Sequence, residues 1–150
     1  EFVNQWVGGI ERLRWAQMDK PLRAAQGTRT PDYPRTASGN TLAAWAATWA
    51  GLRSVTVLPA ASATPVPGEA LVPLEMYLRG KGLNPLADKL HQAADKVDAS
   101  MAQVQKAGLQ NGKAAIQQTA RDLAALKFLA ESEVAPALQV SIGFSDADGD

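Results

Sequence analysis

The feature that most constrains this chain is a stripe of large apolar side chains in the segment after residue 41. Its members lie three and four residues apart: Leu42, Trp45, Trp49 and Leu52. That spacing places them on one face of an α-helix, and Asn40 or Thr41 can cap the helix start. Two indole rings on one face bury a large area once neighbouring helices cover them. We therefore expect a helical fold assembled around this tryptophan helix.

Length and composition favour one globular domain spanning residues 1–150. Of these 150 residues 46% are hydrophobic and 20% charged, with 15 basic and 15 acidic side chains. This balance gives no reason to expect a nucleic-acid partner or electrostatic membrane attachment. The lack of cysteine excludes thiolate catalysis, disulfides and sulfur-ligated zinc. No apolar run reaches the ~20 residues of a membrane helix.

The first residues form a second helical stripe, made of Val3, Trp6, Ile10 and Leu13. Gly8 and Gly9 interrupt it. Such a pair favours close helix packing or a kink, and close approach of a ligand is the alternative. Farther on, Lys20-Pro21 predicts that the helix stops or bends, because proline disfavours helical geometry in the residue before it.

Two long helices are predicted in the second half of the chain. Asn84-Pro85 is a helix-start signal, and Gly108 with Asn111-Gly112 marks a turn between antiparallel neighbours. A proline-rich connector (residues 59–68), a short helix (71–78) and a non-helical tail (138–150) complete the pattern. The inner faces are predicted to be Leu86, Leu90, Ala94, Val97, Met101 and Val104, then Ile116, Ala120, Leu123, Leu126, Leu129 and Ala130. The fold class is therefore all-α, an up-and-down bundle of about four main helices with irregular loops.

A polar loop precedes the tryptophan helix. Residues 27–34 contain two prolines and an aspartate, which favour turns. Arg35, Ser38 and Gly39 then lie beside a helix N-terminus, where N–H groups and the helix dipole favour an anion. The sequence predicts either an anion-binding loop or ordinary capping, with Arg35 in solvent or paired to a carboxylate.

His91 is the only histidine, and Asp95 follows it at i+4. The pair is a fragment of a metal site, but zinc sites take three or four protein ligands. We expect a surface or boundary histidine. No Gly-x-Ser-x-Gly elbow surrounds Ser38, and no pair of carboxylates is singled out for hydrolysis. The residues predict no catalytic group.

The last residues alternate aspartate with small side chains: Asp146, Asp148 and Asp150. The match to a calcium loop is poor, because such a loop needs glycine at its sixth position and glutamate at its twelfth. The tail is expected to be an acidic extension, or to fold back onto arginines or helix N-termini.

Three stretches together resemble the second half of imelysin-like proteins. They are Lys20-Pro21-Leu22 with residues 34–42, the opening residues 6–14, and the ending in which Gly143-Phe144 precedes Asp148-Gly149-Asp150. The resemblance spans nearly the whole chain, and the tail is its most specific part.

This resemblance implies a bacterial protein of the periplasm or outer cell envelope that is exported, often lipid-anchored and linked to iron uptake or regulation. It implies one half of a duplicated two-bundle fold, with the site between the halves and the N-terminal half as partner. The family signature Gly-x-His-x-x-Glu is not matched at His91, since Lys89 stands at −2 and Ala94 at +3. A metal, iron or zinc, would then be bound mainly by the N-terminal half, and no cofactor is expected in this chain. Because the chain opens inside a helical pattern without methionine, we expect a piece of a longer protein.

What the resemblance carries over is a ligand-binding set without catalytic or metal-binding residues: Arg35, Ser38, Gly39, Asp148 and Asp150. Three functions stay open. The first is the non-catalytic half of an exported binding protein for iron or an iron-linked ligand. The second is the substrate-contacting half of a peptidase, and the third is a structural interaction module.

Overall fold

The computed structural model describes residues 1–25, 30–59 and 72–143, and all regular structure within these ranges is helical. Two π-helical segments, π1 (Arg12–Asp19) and π2 (Ala130–Val134), and one 3-10 turn (Thr36–Ser38) accompany the α-helices. The α-helices are α1 (Phe2–Glu11), α2 (Lys20–Ala24), α3 (Thr41–Thr56), α4 (Leu74–Gly80), α5 (Asn84–Asn111), α6 (Lys113–Leu129) and α7 (Ala135–Ala137). The prediction of an all-α fold is confirmed for this part of the chain.

The predicted stripes form the core. Trp45 and Trp49 of α3 are buried, and Leu42 and Leu52 pack half-buried against the same core. The first stripe is buried throughout, as are most inner-face residues of α5 and α6: Val3, Trp6, Ile10, Leu13, Leu90, Ala94, Val97, Met101, Val104, Ile116, Ala120, Leu123, Leu126 and Ala130. Helical periodicity identified the buried faces because a helix that packs on a core carries its apolar side chains on one side.

The helices α5 and α6 are antiparallel neighbours, as their short connection predicts. Within α5 the backbone turns at Gly108, where φ is 73° and ψ is 172°. A Cβ atom on Gly112 would clash with the Gly108 carbonyl oxygen. Near the start of α5, Lys89 Nζ lies 2.8 Å from Glu133 Oε2 of π2, the segment that follows α6. Both predicted turn glycines are thus required by the backbone.

The helix does not stop at Lys20-Pro21, contrary to one of the two predicted outcomes. Instead α1, π1 and α2 follow one another without a break, and we call them the N-terminal rod. The Lys20 N–H donates to the Trp15 carbonyl, five residues earlier. Proline has no N–H, and in an α-helix its ring clashes with the carbonyl four residues before it. The wider π turn relaxes this conflict, so the chain passes the proline as a helix.

Several predicted boundaries shift by a few residues. The fourth helix begins at Leu74 rather than 71, and α5 begins at Asn84 itself with Leu83 as its cap. Asn40 occupies the N-cap of α3 without a side-chain bond, and the Thr41 hydroxyl donates instead to the Pro34 carbonyl. Gly9 packs against Leu52 so closely that a Cβ would lie 2.7 Å from its Cδ2.

The predictions for residues 27–29, for the connector from 60 to 68 and for the tail from 144 to 150 lie outside the described residues. None of the described helices combines the length and the apolar character needed to cross a bilayer.

Candidate functional site

A cleft of about 400 Å³ lies between the N-terminal rod, the turn at residues 34 and 35, and α3. Arg12 and Arg35 line it, and none of the described residues that line it is acidic. Its other walls are neutral: Gly9, Leu13, Gln17, Pro34, Ala44, Trp45, Ala47 and Thr48. Small-molecule sites in proteins have volumes of about 300–1,000 Å³, so the cleft is large enough for a small ligand.

The π geometry of the rod builds one wall of the cleft. Arg12 and Gln17 are five residues apart, which is the hydrogen-bond step of a π-helix, and both reach the cleft. Gly9 precedes them in α1, where its lack of a side chain lets Leu52 of α3 approach. The π segment therefore brings a cation and an amide to the side of α3 that holds Trp45.

Arg35 is held at the cleft by a loop that folds back on itself. Its backbone is left-handed, with φ 64° and ψ 16°. The carbonyl of Arg35 accepts hydrogen bonds from the Ser38 N–H at 3.2 Å and the Ser38 hydroxyl at 3.0 Å. Left-handed geometry costs a non-glycine residue roughly 1–2 kcal/mol. These bonds sustain a strained conformation of a kind that clusters at ligand sites.

Trp45 contributes a buried polar group to the wall of the cleft. Its side chain is 1% exposed, and its Nε1–H finds no acceptor among the described residues. By contrast, the Nε1–H groups of Trp6 and Trp49 donate to Thr56 Oγ1 at 2.8 Å and to Asp98 Oδ1 at 2.7 Å. A buried donor without a partner costs ~1–3 kcal/mol.

The charge of the cleft is not compensated within the described ranges. Arg12 and Arg35 are both exposed, and neither forms an ion pair with another described residue. Two guanidinium groups without carboxylates attract an anion and repel a cation. The arrangement suits a ligand that carries a carboxylate or a phosphate.

The predicted ligand set is divided by the structure. Arg35 lines the cleft, whereas Ser38 and Gly39 shape the loop that carries it, Gly39 at φ 69°. Asp148 and Asp150 lie outside the described residues. The ligand-binding roles of all five remain predictions.

His91 is a boundary residue within a charged network, and its partner is one that sequence reasoning missed. Its Nδ1 lies 2.8 Å from Glu75 Oε2, and its Nε2 lies 3.6 Å from Asp95 Oδ2. Glu75 is buried and also accepts hydrogen bonds from Arg79 and from the Leu58 N–H. Burial favours the neutral acid, but the hydrogen bonds from His91, Arg79 and Leu58 and the charge of His91 outweigh it and lower the pKa of Glu75.

The network extends to α3 through Arg53. Arg53 Nε lies 2.5 Å from Asp98 Oδ2, and its Nη1 donates to the Leu58 carbonyl at 3.2 Å. The carboxylates are thus matched by cations and N–H groups. Within the described ranges no three His, Asp or Glu side chains are arranged to hold a metal ion. The contacts make this network a junction that fastens α3, α4 and α5 together.

Arg12, Gln17 and the indole of Trp45 were also missed as cleft residues. Their spacing from one another is set by a π-helix and by a contact between the rod and α3, and neither follows from helical periodicity. The usable signal was weaker: Pro21 within a helical pattern, which points to altered winding just before it.

Comparison of the chain with models of protein families, with curated proteins and with solved structures finds no match.

Proposed function

We propose that this chain is a ligand-binding helical domain, and that the cleft beside Arg35 binds a small anion. The observation that carries this proposal is the pair of guanidinium groups, Arg12 and Arg35, that line one cleft without a carboxylate among the described lining residues. A carboxylate or phosphate group accepts paired hydrogen bonds from such groups. The strained backbone of Arg35 and the Trp45 N–H, which has no acceptor among the described residues, support the same assignment.

The resemblance to imelysin-like proteins supplies the biological setting of the proposal. In this reading the chain is the C-terminal, non-catalytic half of an exported protein of the periplasm or outer cell envelope, attached through a lipid anchor elsewhere in the protein. The N-terminal half is its partner and holds any metal, iron or zinc. Because two arginines repel a bare cation, an iron-linked ligand of this cleft would be an anionic chelate.

We also propose how the helices are arranged and what precedes them in the full-length protein. The N-terminal rod, α3, α5 and α6 would be the four main helices of an up-and-down bundle, and a second bundle of similar design would precede it. The sequence of the full-length precursor tests this directly. We expect a signal peptide, a first bundle and a Gly-x-His-x-x-Glu motif before Glu1, and a precursor without them contradicts the family assignment.

Calorimetric titration tests the cleft. Citrate, inorganic phosphate and ferric citrate are titrated into the wild-type chain and into Arg35→Gln and Arg12→Gln. A hydrogen bond between charged groups contributes about 1.5–3 kcal/mol, so each substitution is expected to weaken binding of the preferred anion about tenfold or more.

The matched control is Lys106→Gln, which removes one charge from an exposed position of α5 that does not line the cleft. It is expected to leave the affinity unchanged. Absence of saturable binding, or equal losses in Lys106→Gln and Arg35→Gln, would contradict the proposal.

A further inference from the structure

A second groove, of about 550 Å³, runs between the N-terminal rod and α6 and shares no lining residue with the cleft. We call it the basic groove. Its charged lining consists of four cations and one carboxylate: Arg14, Arg23, Lys113, Arg121 and Asp19. Since the formal charge of the whole chain is zero, this groove concentrates positive charge.

The two arginines on the rod are held in place before any ligand arrives. Asp19 Oδ2 lies 3.4 Å from Arg14 Nη1 and 3.1 Å from Arg23 Nη2. Arg14 also donates from Nε and Nη2 to the buried Glu11, so Arg23 is the rod cation with more donors left for a ligand. Both guanidinium groups also lie over the ring of Trp15, at 5.9 and 5.4 Å from its centroid. Cation–π contacts and a shared carboxylate restrict the side chains, which lowers the entropic cost of binding.

The two groove cations on α6, Lys113 and Arg121, have no carboxylate partner in the described ranges. Arg121 Nη2 donates to the neutral Gln118 at 2.8 Å, and neither Arg121 nor Lys113 forms an ion pair with a residue in the described ranges. Lys113 and Arg121 are eight residues apart on one helix, a separation of about 12 Å along its axis. Positive charge therefore lies at both ends of this wall.

We propose that the basic groove binds a small molecule that carries two or more phosphate groups. The planar fork of arginine matches the geometry of phosphate. One phosphate contacts one end of the α6 wall, whereas a chain of linked phosphates follows the groove and meets cations of both walls. This site does not depend on the ligand proposed for the cleft.

Titration of tripolyphosphate into the wild-type chain, followed by calorimetry, tests the site. We expect a saturable site that persists in Arg35→Gln, with affinity that falls as salt is added. In that variant inorganic phosphate should bind at least about tenfold more weakly than tripolyphosphate. The double variant Lys113→Gln/Arg121→Gln is expected to weaken tripolyphosphate binding by about tenfold or more. Thermal melting followed by circular dichroism verifies that the variant is folded.

The matched control is Lys96→Gln/Lys106→Gln, which removes the same charge from exposed positions of α5. It should change the tripolyphosphate affinity less than about twofold. Arg35→Gln should leave tripolyphosphate binding intact, and Lys113→Gln/Arg121→Gln should leave citrate binding intact, which separates the two sites. The inference is overturned by equal losses in both double variants, by loss in Arg35→Gln alone, by equal affinity of Arg35→Gln for phosphate and tripolyphosphate, or by no saturable binding.

Discussion

Arg35 combines a left-handed backbone with a guanidinium group that has no carboxylate partner in the described ranges. The residue type at this position should therefore affect both the stability of the loop and the binding of an anion. Glycine adopts φ near 64° without the steric cost that alanine pays. Replacing Arg35 by glycine or by alanine removes the same charge. We expect the free energy of unfolding of Arg35→Gly to exceed that of Arg35→Ala by about 1 kcal/mol, and both variants to lose anion binding.

Urea denaturation of the two variants measures this difference. Gln139, the other non-glycine residue with positive φ in the described ranges, at 56°, provides a comparison remote from the cleft. The pair Gln139→Gly and Gln139→Ala should repeat the stability difference without affecting anion binding. If Arg35→Ala were as stable as Arg35→Gly, the loop would not be strained.

Two of the buried indoles, those of Trp6 and Trp45, differ in one polar contact. Trp6 and Trp45 are 3% and 1% exposed. The Trp6 N–H donates to the hydroxyl of Thr56, whereas the Trp45 N–H has no acceptor among the described residues. Substitution by phenylalanine leaves a similar void at either position, yet it removes a hydrogen bond only at Trp6. We expect Trp6→Phe to destabilise the fold about 1 kcal/mol more than Trp45→Phe in chemical denaturation. A larger loss in Trp45→Phe would indicate that its N–H is bonded in solution.

Truncation of Trp45 tests the tryptophan helix as the centre of the core. Removal of a fully buried large side chain costs about 3–5 kcal/mol. Trp45→Ala is therefore expected to lower the free energy of unfolding by that amount. A loss below about 1 kcal/mol would mean that the ring is not part of the packed core.

At the scale of elements, the helices were predictable and the way they are wound was not. Periodicity located α1, α3, α5 and α6 because one face of each had to be apolar. It does not register the change to π geometry, because Leu13, Trp15 and Met18 simply continue the apolar surface of α1 in the sequence. Both π segments end two residues before a proline, Pro21 and Pro136. Proline inside a helical pattern is thus a better signal for altered winding than for a stop.

The α5–α6 turn depends on a backbone conformation that only glycine adopts easily. Gly108, with φ 73° and ψ 172°, lies in the region where other residues pay about 1–3 kcal/mol. Gly51 is exposed in the middle of α3, and a Cβ there meets nothing within 4 Å. The same substitution should therefore have opposite effects. Denaturation of Gly108→Ala should show a loss of about 1–3 kcal/mol, and that of Gly51→Ala a gain of about 0.5–1 kcal/mol.

At the scale of the whole molecule, the sequence predicted the all-helical class, the buried faces and one cleft residue, Arg35. The remaining cleft residues come from separate segments, and their proximity depends on how the rod packs on α3. The charged network was missed for the same reason. Glu75 and His91 are 16 residues apart, so their contact arises from the packing of α4 on α5 and leaves no local pattern.

Two buried carboxylates, Glu11 and Glu75, lie at separate contacts between helices. Their ionisation contributes to the pH dependence of the free energy of unfolding. Glu11 bonds Arg14 and meets Lys127 of α6, and Glu75 fastens α4 to α5 and to the end of α3. At Glu11 burial opposes ionisation, but Arg14 and Lys127 outweigh it, so its pKa, like that of Glu75, lies below 4.5. A carboxyl with a lowered folded-state pKa stabilises the protein above its unfolded-state pKa. That contribution is lost as the pH falls through the folded-state value.

We therefore expect the free energy of unfolding to fall as the pH drops below the ordinary glutamate pKa of 4.5. Glu75→Gln removes one of the two buried carboxylates whose pKa is lowered, and it leaves Arg79 with Asp88 and His91 with Asp95 as their carboxylate neighbours. It should be less stable than the wild type at neutral pH and should lose less stability between neutral and acidic pH, because its share of the proton uptake is gone. Glu133→Gln, which affects an exposed pair with Lys89, serves as the control and should retain the steep acid profile. Parallel pH profiles for the wild type and Glu75→Gln would show that Glu75 does not ionise differently in the folded and unfolded chain, and the acid sensitivity would then have to come from other carboxyl groups.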